Sequence, residues 1–371
     1  MVIQNGSVFF DGAYHDVDVE ILDGVITQIG EHLSGDDSID AAGKLVFPGF
    51  IETHIHGADF VSCNDGEEAV RRICKALPQY GVTSFTPTPT TNNVADSLHA
   101  VRGIRAAKGA EGADILGIHY YGPYRNRSID YYKDNVSPTK EHTLAMMDND
   151  LSDVKIMLVA SELPGGMDWI KWATDQGIIV IIGFTEGTTS QIYQAADNGA
   201  TLTDHFYNGF PLMDHHEEGS TVGCMLEDRL YCQLNFDHIH VAEPFIRLLM
   251  RVKGKDKIVA VSDCSTYVGA PDGEYWRGDL RLIKKDGAVR TAEGGKLVTG
   301  CHSFDENMRT VLDKGYTLEE IGTMFTENAG KMLRLTDRGK IAVGRRGDIV
   351  IMDQALNVEK TLMLGQIVYE K

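Results

Sequence analysis

The chain has 371 residues, 43% hydrophobic and 24% charged, the balance of a globular protein longer than one ordinary domain yet suited to a large α/β barrel with a smaller module attached. Its 35 basic residues against 54 acidic ones leave a formal charge of -19, which argues against nonspecific binding to nucleic acid or to an anionic membrane. A small anionic ligand is not excluded, because main-chain amides or one Arg can hold a phosphate whatever the global sign.

In chain order, residues 1–48 hold short alternating segments such as Val2-Ile-Gln-Asn-Gly6, Gly12-Ala-Tyr-His-Asp-Val-Asp-Val-Glu20 and Gly24-Val-Ile-Thr-Gln-Ile-Gly30, punctuated by Gly and Asp. The opening Met1-Val-Ile-Gln-Asn-Gly-Ser7 has no basic segment followed by an apolar one, so no secretion signal and a cytoplasmic setting are expected. Eight strand signals then recur: 50–57, 83–90, 115–123, 154–162, 178–186, 201–208, 231–240 and 258–265. Between them lie helix-like stretches at 67–79, 94–108, 167–176, 191–198 and 244–252, several closed by Gly. This alternation predicts a parallel (β/α)8 barrel over residues 49–339. A hairpin-like insertion from Trp276 to Leu297 carries the turn signals Asp286-Gly and Gly294-Gly. Gly347-Asp-Ile-Val-Ile-Met-Asp353 and Thr361-Leu-Met-Leu-Gly-Gln-Ile-Val-Tyr369 read as strands, so residues 1–48 and 340–371 are expected to combine into a small β-sandwich. Six cysteines without a CxxC spacing read as reduced, mostly buried thiols. No apolar run approaches the roughly 18 residues that a membrane span needs.

Chemistry in such barrels sits at the carboxyl ends of the strands. There the sequence places His54 and His56, His119-Tyr-Tyr-Gly-Pro123, Gly183-Phe-Thr-Glu-Gly187, Asp204-His-Phe-Tyr-Asn208, Asp237-His-Ile-His240 and Ser262-Asp-Cys-Ser265. Alternate strand residues project to one side, so His54 and His56 make half a metal site.

In order along nearly the whole chain, Pro48-Gly-Phe-Ile-Glu-Thr-His-Ile-His-Gly57, Gly117-Ile-His-Tyr-Tyr-Gly-Pro123, Asp204-His-Phe-Tyr-Asn208, Asp237-His-Ile-His-Val241, Val261-Ser-Asp263, Gly269-Ala-Pro-Asp-Gly-Glu-Tyr275 and Gly339-Lys-Ile-Ala-Val-Gly344 with Gly347-Asp-Ile-Val-Ile351 resemble the amidohydrolase superfamily, and within it the N-acetylglucosamine-6-phosphate deacetylases. The resemblance implies metal-assisted hydrolysis of an acetamide on an amino-sugar phosphate, with Asp263 as general base and acid. It also implies substrate contacts from His240, Asn208 and Gly209. The family's metal-binding Glu is Tyr121 here, its strand-five His is Phe184, and its phosphate-binding Arg aligns with His216. With those two ligands replaced, the expectation is a single divalent ion, zinc in type, at His54, His56 and Asp263, with His205 as a fourth ligand or a hydrogen-bond donor to substrate. The second metal position is expected to be lost, and Tyr121 to face the sugar. Arg125 and Arg127 are candidates for a phosphate contact. The resemblance suggests a homodimer acting on a small amino-sugar substrate. Two rivals stay open: another amidohydrolase, such as a deaminase or cyclic amide hydrolase, and a non-catalytic sugar-phosphate binder.

Overall fold

The computed structural model describes residues 1–126 and 136–371. All eight expected barrel strands are present: Phe50–Ile55, Val82–Pro87, Ile118–Tyr120, Val154–Val159, Ile179–Ile182, Leu202–Thr203, Tyr231–Asn235 and Ile258–Val261. Strands three to eight pair in parallel in sequential order, and strand two pairs in parallel with strand one. The third strand is broken by Leu116 and Gly117, so that Asp114–Ile115 pairs with strand two while Ile118–Tyr120 pairs with strand four. Between the last strand and the first, the amide of Asp263 donates to the carbonyl of His54 at 3.0 Å and that of His56 to the carbonyl of Cys264 at 2.9 Å. The ring of strands is thereby complete, the α/β barrel of the TIM type.

Strands covered on both faces read as continuous apolar runs, and their alternation assigns the two sides. Ile156, Leu158, Ile179, Ile181, Leu202 and Val259 pack together inside the barrel, whereas Met157, Val159, Val180 and Ile182 join the layer beneath the helices. The helices follow the apolar periodicity. In Glu67–Ala76 the buried Ala69, Val70, Ile73 and Cys74 form one stripe, with Glu67 and Glu68 in the first turn and Lys75 in the last, each complementing the helix dipole. Asn93 caps Val94–Ala106 by accepting from the Asp96 amide, and Thr188 with Gln191 forms a capping box on Thr189–Asp197. Lys140–Met146 and Ser220–Leu226 are helices of seven residues that periodicity did not reveal, because two turns are too few to establish a stripe.

The chain ends meet. Leu45–Pro48 pairs antiparallel with Ile349–Met352 in a six-stranded sheet that also holds Ser7–Phe10, Ala13–Asp16, Val358–Met363 and Gln366–Glu370. A four-stranded sheet is formed by Val2–Gln4, Asp18–Leu22, Val25–Gly30 and Ser38–Asp40. The insertion after the eighth strand is larger than one hairpin: Gly273–Arg277, Leu280–Lys285, Ala288–Thr291 and Leu297–Gly300 form a four-stranded antiparallel meander. Asp286 and Gly287, at φ +50° and +75°, make the expected tight turn between two of its strands. All six cysteines are free and buried, and no helix among the described residues is long and apolar enough to cross a membrane.

Candidate metal and active centre

The first and eighth strands bring three ligand atoms to one point. His54 Nε2 and His56 Nε2 stand 3.3 Å apart, and Asp263 Oδ1 lies 3.4 Å from the first and 3.2 Å from the second. Ligands about 2.0–2.1 Å from a tetrahedral ion are separated by roughly 3.3 Å, so the spacing fits a divalent metal. The outward nitrogens fix the tautomers. His54 Nδ1 donates to Gln233 Oε1 at 3.0 Å and His56 Nδ1 to the Thr88 carbonyl at 2.8 Å, which turns both Nε2 lone pairs toward Asp263. Three ligand atoms converging on one spot could hold a divalent cation. Asp263 has a left-handed backbone, φ +49°, which an Asp tolerates at a strand end.

Glu52 ties the two ligand-bearing strands together below the site, one oxygen accepting from the His54 amide and the other from the Ser262 amide, each at 2.9 Å. Burial pushes Glu52 up to about 7. Burial opposes charge on Asp263 as well, but His54 and His56 outweigh it and hold the carboxyl well below the usual carboxylate range. Burial alone would lower His54; the Asp263 and Asp204 carboxylates overcome it and push the imidazole up to about 9. His119 is driven down to about 3 by burial and by the neighbouring His54 charge, and its Nδ1 donates to the Thr53 carbonyl at 2.9 Å.

A stability prediction follows from His54. Its folded value lies above the ordinary 6.5, so its proton stabilises the ion-free fold in full below about pH 6.5, and that contribution is lost as pH rises through 9. An ion bound at Nε2 replaces the proton. The rise in melting temperature on adding a divalent ion should therefore be larger at about pH 8.5 than at about pH 6, as read by thermal unfolding with and without metal; a gain that shrinks with pH would contradict it.

Around this centre lies a cavity of about 610 Å³, lined by His56, Tyr121, His205, Asn208, Gly209, His240 and Asp263 together with Phe184, Arg277 and Thr299. His240 is aimed by Asp237, whose Oδ2 accepts from Nδ1 at 2.6 Å and whose Oδ1 accepts from the amides of Ile239 and His240. Burial lowers His240, and Asp237 more than reverses this, so its pKa is raised. The meander closes over this pair: a Cβ on Gly300 would fall 2.4 Å from Asp237 Oδ2, so only Gly allows the approach.

Two of the expected residues stand apart from this trio. His205, expected as a fourth ligand or a hydrogen-bond donor to substrate, has its Nε2 2.6 Å from the Tyr121 hydroxyl. His216 lies on an exposed loop outside the cavity, its amide donating to Asp214 Oδ1, because 211–218 runs along the surface and not over the barrel mouth. Of the tyrosines after strand three, Tyr121 lines the cavity, whereas Tyr120 and Tyr124 are core residues. Arg125 is buried, with its guanidinium 5.7 Å from the ring centres of both Tyr121 and Phe184, and donates to Asn92 Oδ1. It braces the aromatic pair from behind. Arg127 lies outside the described residues. Two residues escaped sequence reasoning, Gln233 and Arg277, and Asp204 was placed at its strand end without a role. Asp204 and Gln233 are polar groups inside the barrel that contact His54, and Arg277 reaches the cavity from the meander.

A closed α/β barrel with an HxH pair on its first strand and an Asp on its eighth defines an amidohydrolase, and the amidohydrolase family matches residues 45–208. Over 99% of its length the chain is 30% identical to the N-acetylglucosamine-6-phosphate deacetylase of Lysinibacillus sphaericus, covering 97% of that protein. It is 27% identical to the N-acetylgalactosamine-6-phosphate deacetylase of Escherichia coli O157:H7, with 96% of each chain covered. The crystal structure of N-acetylglucosamine-6-phosphate deacetylase from Pasteurella multocida has the same fold, with a TM-score of 0.90 at 22% identity over 100% of this chain and 99% of that one. The chain belongs to the N-acetylglucosamine-6-phosphate deacetylase family.

Proposed function

We propose that the protein is a metal-dependent hydrolase that removes the acetyl group from an N-acetylated amino-sugar phosphate of the N-acetylglucosamine-6-phosphate type, using one zinc-like ion. The observation that carries this reading is the convergence of His54 Nε2, His56 Nε2 and Asp263 Oδ1 within 3.4 Å of one another at the mouth of a cavity large enough for a sugar. His54, His56 and Asp263 would hold the divalent ion, which when bound would supply a water acidified to a pKa of about 7 and a Lewis acid for the amide carbonyl. Asp263 takes the water's proton and returns it to the departing amine. His240, its Nδ1 engaged by Asp237, offers Nε2 to the substrate. Asn208, the amide of Gly209 and the guanidinium of Arg277 form the anion-binding side, with Arg277 in the role that the sequence assigned to His216. Tyr121 and Phe184 fill the second ion's position, which leaves the site mononuclear.

The same reading covers the setting of the protein. The two terminal sheets form a β-sandwich domain of residues 1–48 and 340–371, supported by a cluster in which Ile3, Val19 and Ile21 of one sheet pack with Val46, Ile349 and Leu362 of the other. Six free buried thiols suit the reducing cytoplasm. A homodimer belongs to the same reading, carried by the family resemblance.

Incubation of the metal-loaded protein with N-acetylglucosamine-6-phosphate and its galactose epimer should release acetate and free amine in equal amounts, with little turnover of the unphosphorylated sugars. Ammonia in place of acetate would identify a deaminase. A melting shift without product would identify a binding protein.

A further inference from the structure

The carboxylate of Asp204 is the most completely buried charge near the site that the proposed mechanism leaves unused. It is fully removed from solvent, and neither oxygen has a well-aligned hydrogen-bond donor among the described residues. Its two oxygens face two imidazoles instead. Oδ1 lies 3.2 Å from His54 Nδ1 and Oδ2 lies 3.4 Å from His205 Nδ1. Gln233 takes the aligned hydrogen of His54 Nδ1, so Asp204 meets that ring through charge more than through a directed bond. Room for it comes from the neighbouring strand, where a Cβ on Gly183 would fall 2.5 Å from the Asp204 Cβ.

A buried carboxylate so poorly served by donors is costly unless a positive charge compensates it. A proton or an ion on the far side of His54 provides one, since an imidazole whose Nε2 holds a cation becomes a stronger donor at Nδ1. With Asp263 in the ligand shell and Asp204 behind it, two carboxylates balance one divalent ion. The other oxygen reaches His205, whose Nε2 receives the Tyr121 hydroxyl, so one carboxylate orients both the ligand ring and the ring that faces the cavity.

We propose that Asp204 is a positioning residue: from behind the site it supplies the counter-charge for the metal-bound His54 and holds His205 with its Nε2 toward Tyr121. The inference rests on the one-metal reading of the site, and its test separates the two. For wild type and the isosteric D204N, the zinc dissociation constant is measured by competition with a chromophoric chelator, and melting temperatures are recorded for the ion-free and zinc-loaded proteins. The expected result is zinc affinity weakened about 10–100-fold in D204N, with the rise in melting temperature on zinc binding smaller in the variant than in wild type. A merely structural role would instead lower both melting temperatures together and leave the zinc constant unchanged, and that result overturns the proposal. D204S carries the same expectation if D204N does not fold. Wild-type protein that binds no zinc would sink the metal reading, and this inference with it; wild type binding one equivalent with D204N binding as tightly would sink this inference alone.

Discussion

Asp263→Asn is expected to lower kcat by about 10²–10⁴-fold while KM for N-acetylglucosamine-6-phosphate stays within a few-fold. Asn has the same shape and keeps an oxygen toward His54 and His56, so the cavity and its sugar contacts persist. What it lacks is the ability to take a proton from water and give one to the amine. The histidines hold the Asp263 carboxyl far below its ordinary value, so in the ion-free protein it is ionised throughout the working pH range. Steady-state kinetics with metal in excess measures the effect and offsets any loss of ion affinity. A kcat within tenfold of wild type would move the proton transfer to another group, and His240 would be the first candidate.

The double variant Tyr121→Glu with Phe184→His is expected to raise the bound metal from about one equivalent to about two. In the wild type the Tyr121 hydroxyl occupies His205 Nε2 at 2.6 Å, and the Phe184 ring lies across both, its centroid 5.5 Å from that of Tyr121 and 5.4 Å from that of His205. Exchanging these two side chains releases His205 and adds a carboxylate and an imidazole beside it. The backbone is already suited: Phe184 sits at φ +47°, a conformation strained for a bulky aromatic and better tolerated by His. Metal analysis after gel filtration in metal-replete buffer gives the count. A value that stays at one would overturn the expectation that Tyr121 and Phe184 are what closes the second position.

How far the sequence disclosed this site depends on which physical signal each residue leaves. The eight strands were legible because buried parallel strands are apolar runs bounded by polar ends, and the polar residues at those ends, His54, His56, Asp263, Asn208 and His240, stand in or beside the cavity. Asp204 and Gln233 were not singled out, because a strand covered on both sides does not alternate and gives no sign of which polar residue turns inward. The Tyr121–His205 bond depends on how strands three and six stagger around the barrel, which local sequence does not encode. Arg277 was missed because its strand belongs to an exposed meander, and nothing in the pattern of Gly273–Arg277 tells that it folds back over the barrel mouth. His216 stands exposed on its loop; its expected place came from a family correspondence, with no periodicity in the loop to check it.

The pairing of the first and eighth strands through the amides of Asp263 and His56 would give a bound metal a mechanical part to play. These are the two barrel strands farthest apart in sequence, and an ion held by His54, His56 and Asp263 would work as a clasp across the seam, fastening the start of the barrel to its finish. Chelation would then loosen the ring at that seam, tying resistance to local opening to the ion as well as to the packing of the strands.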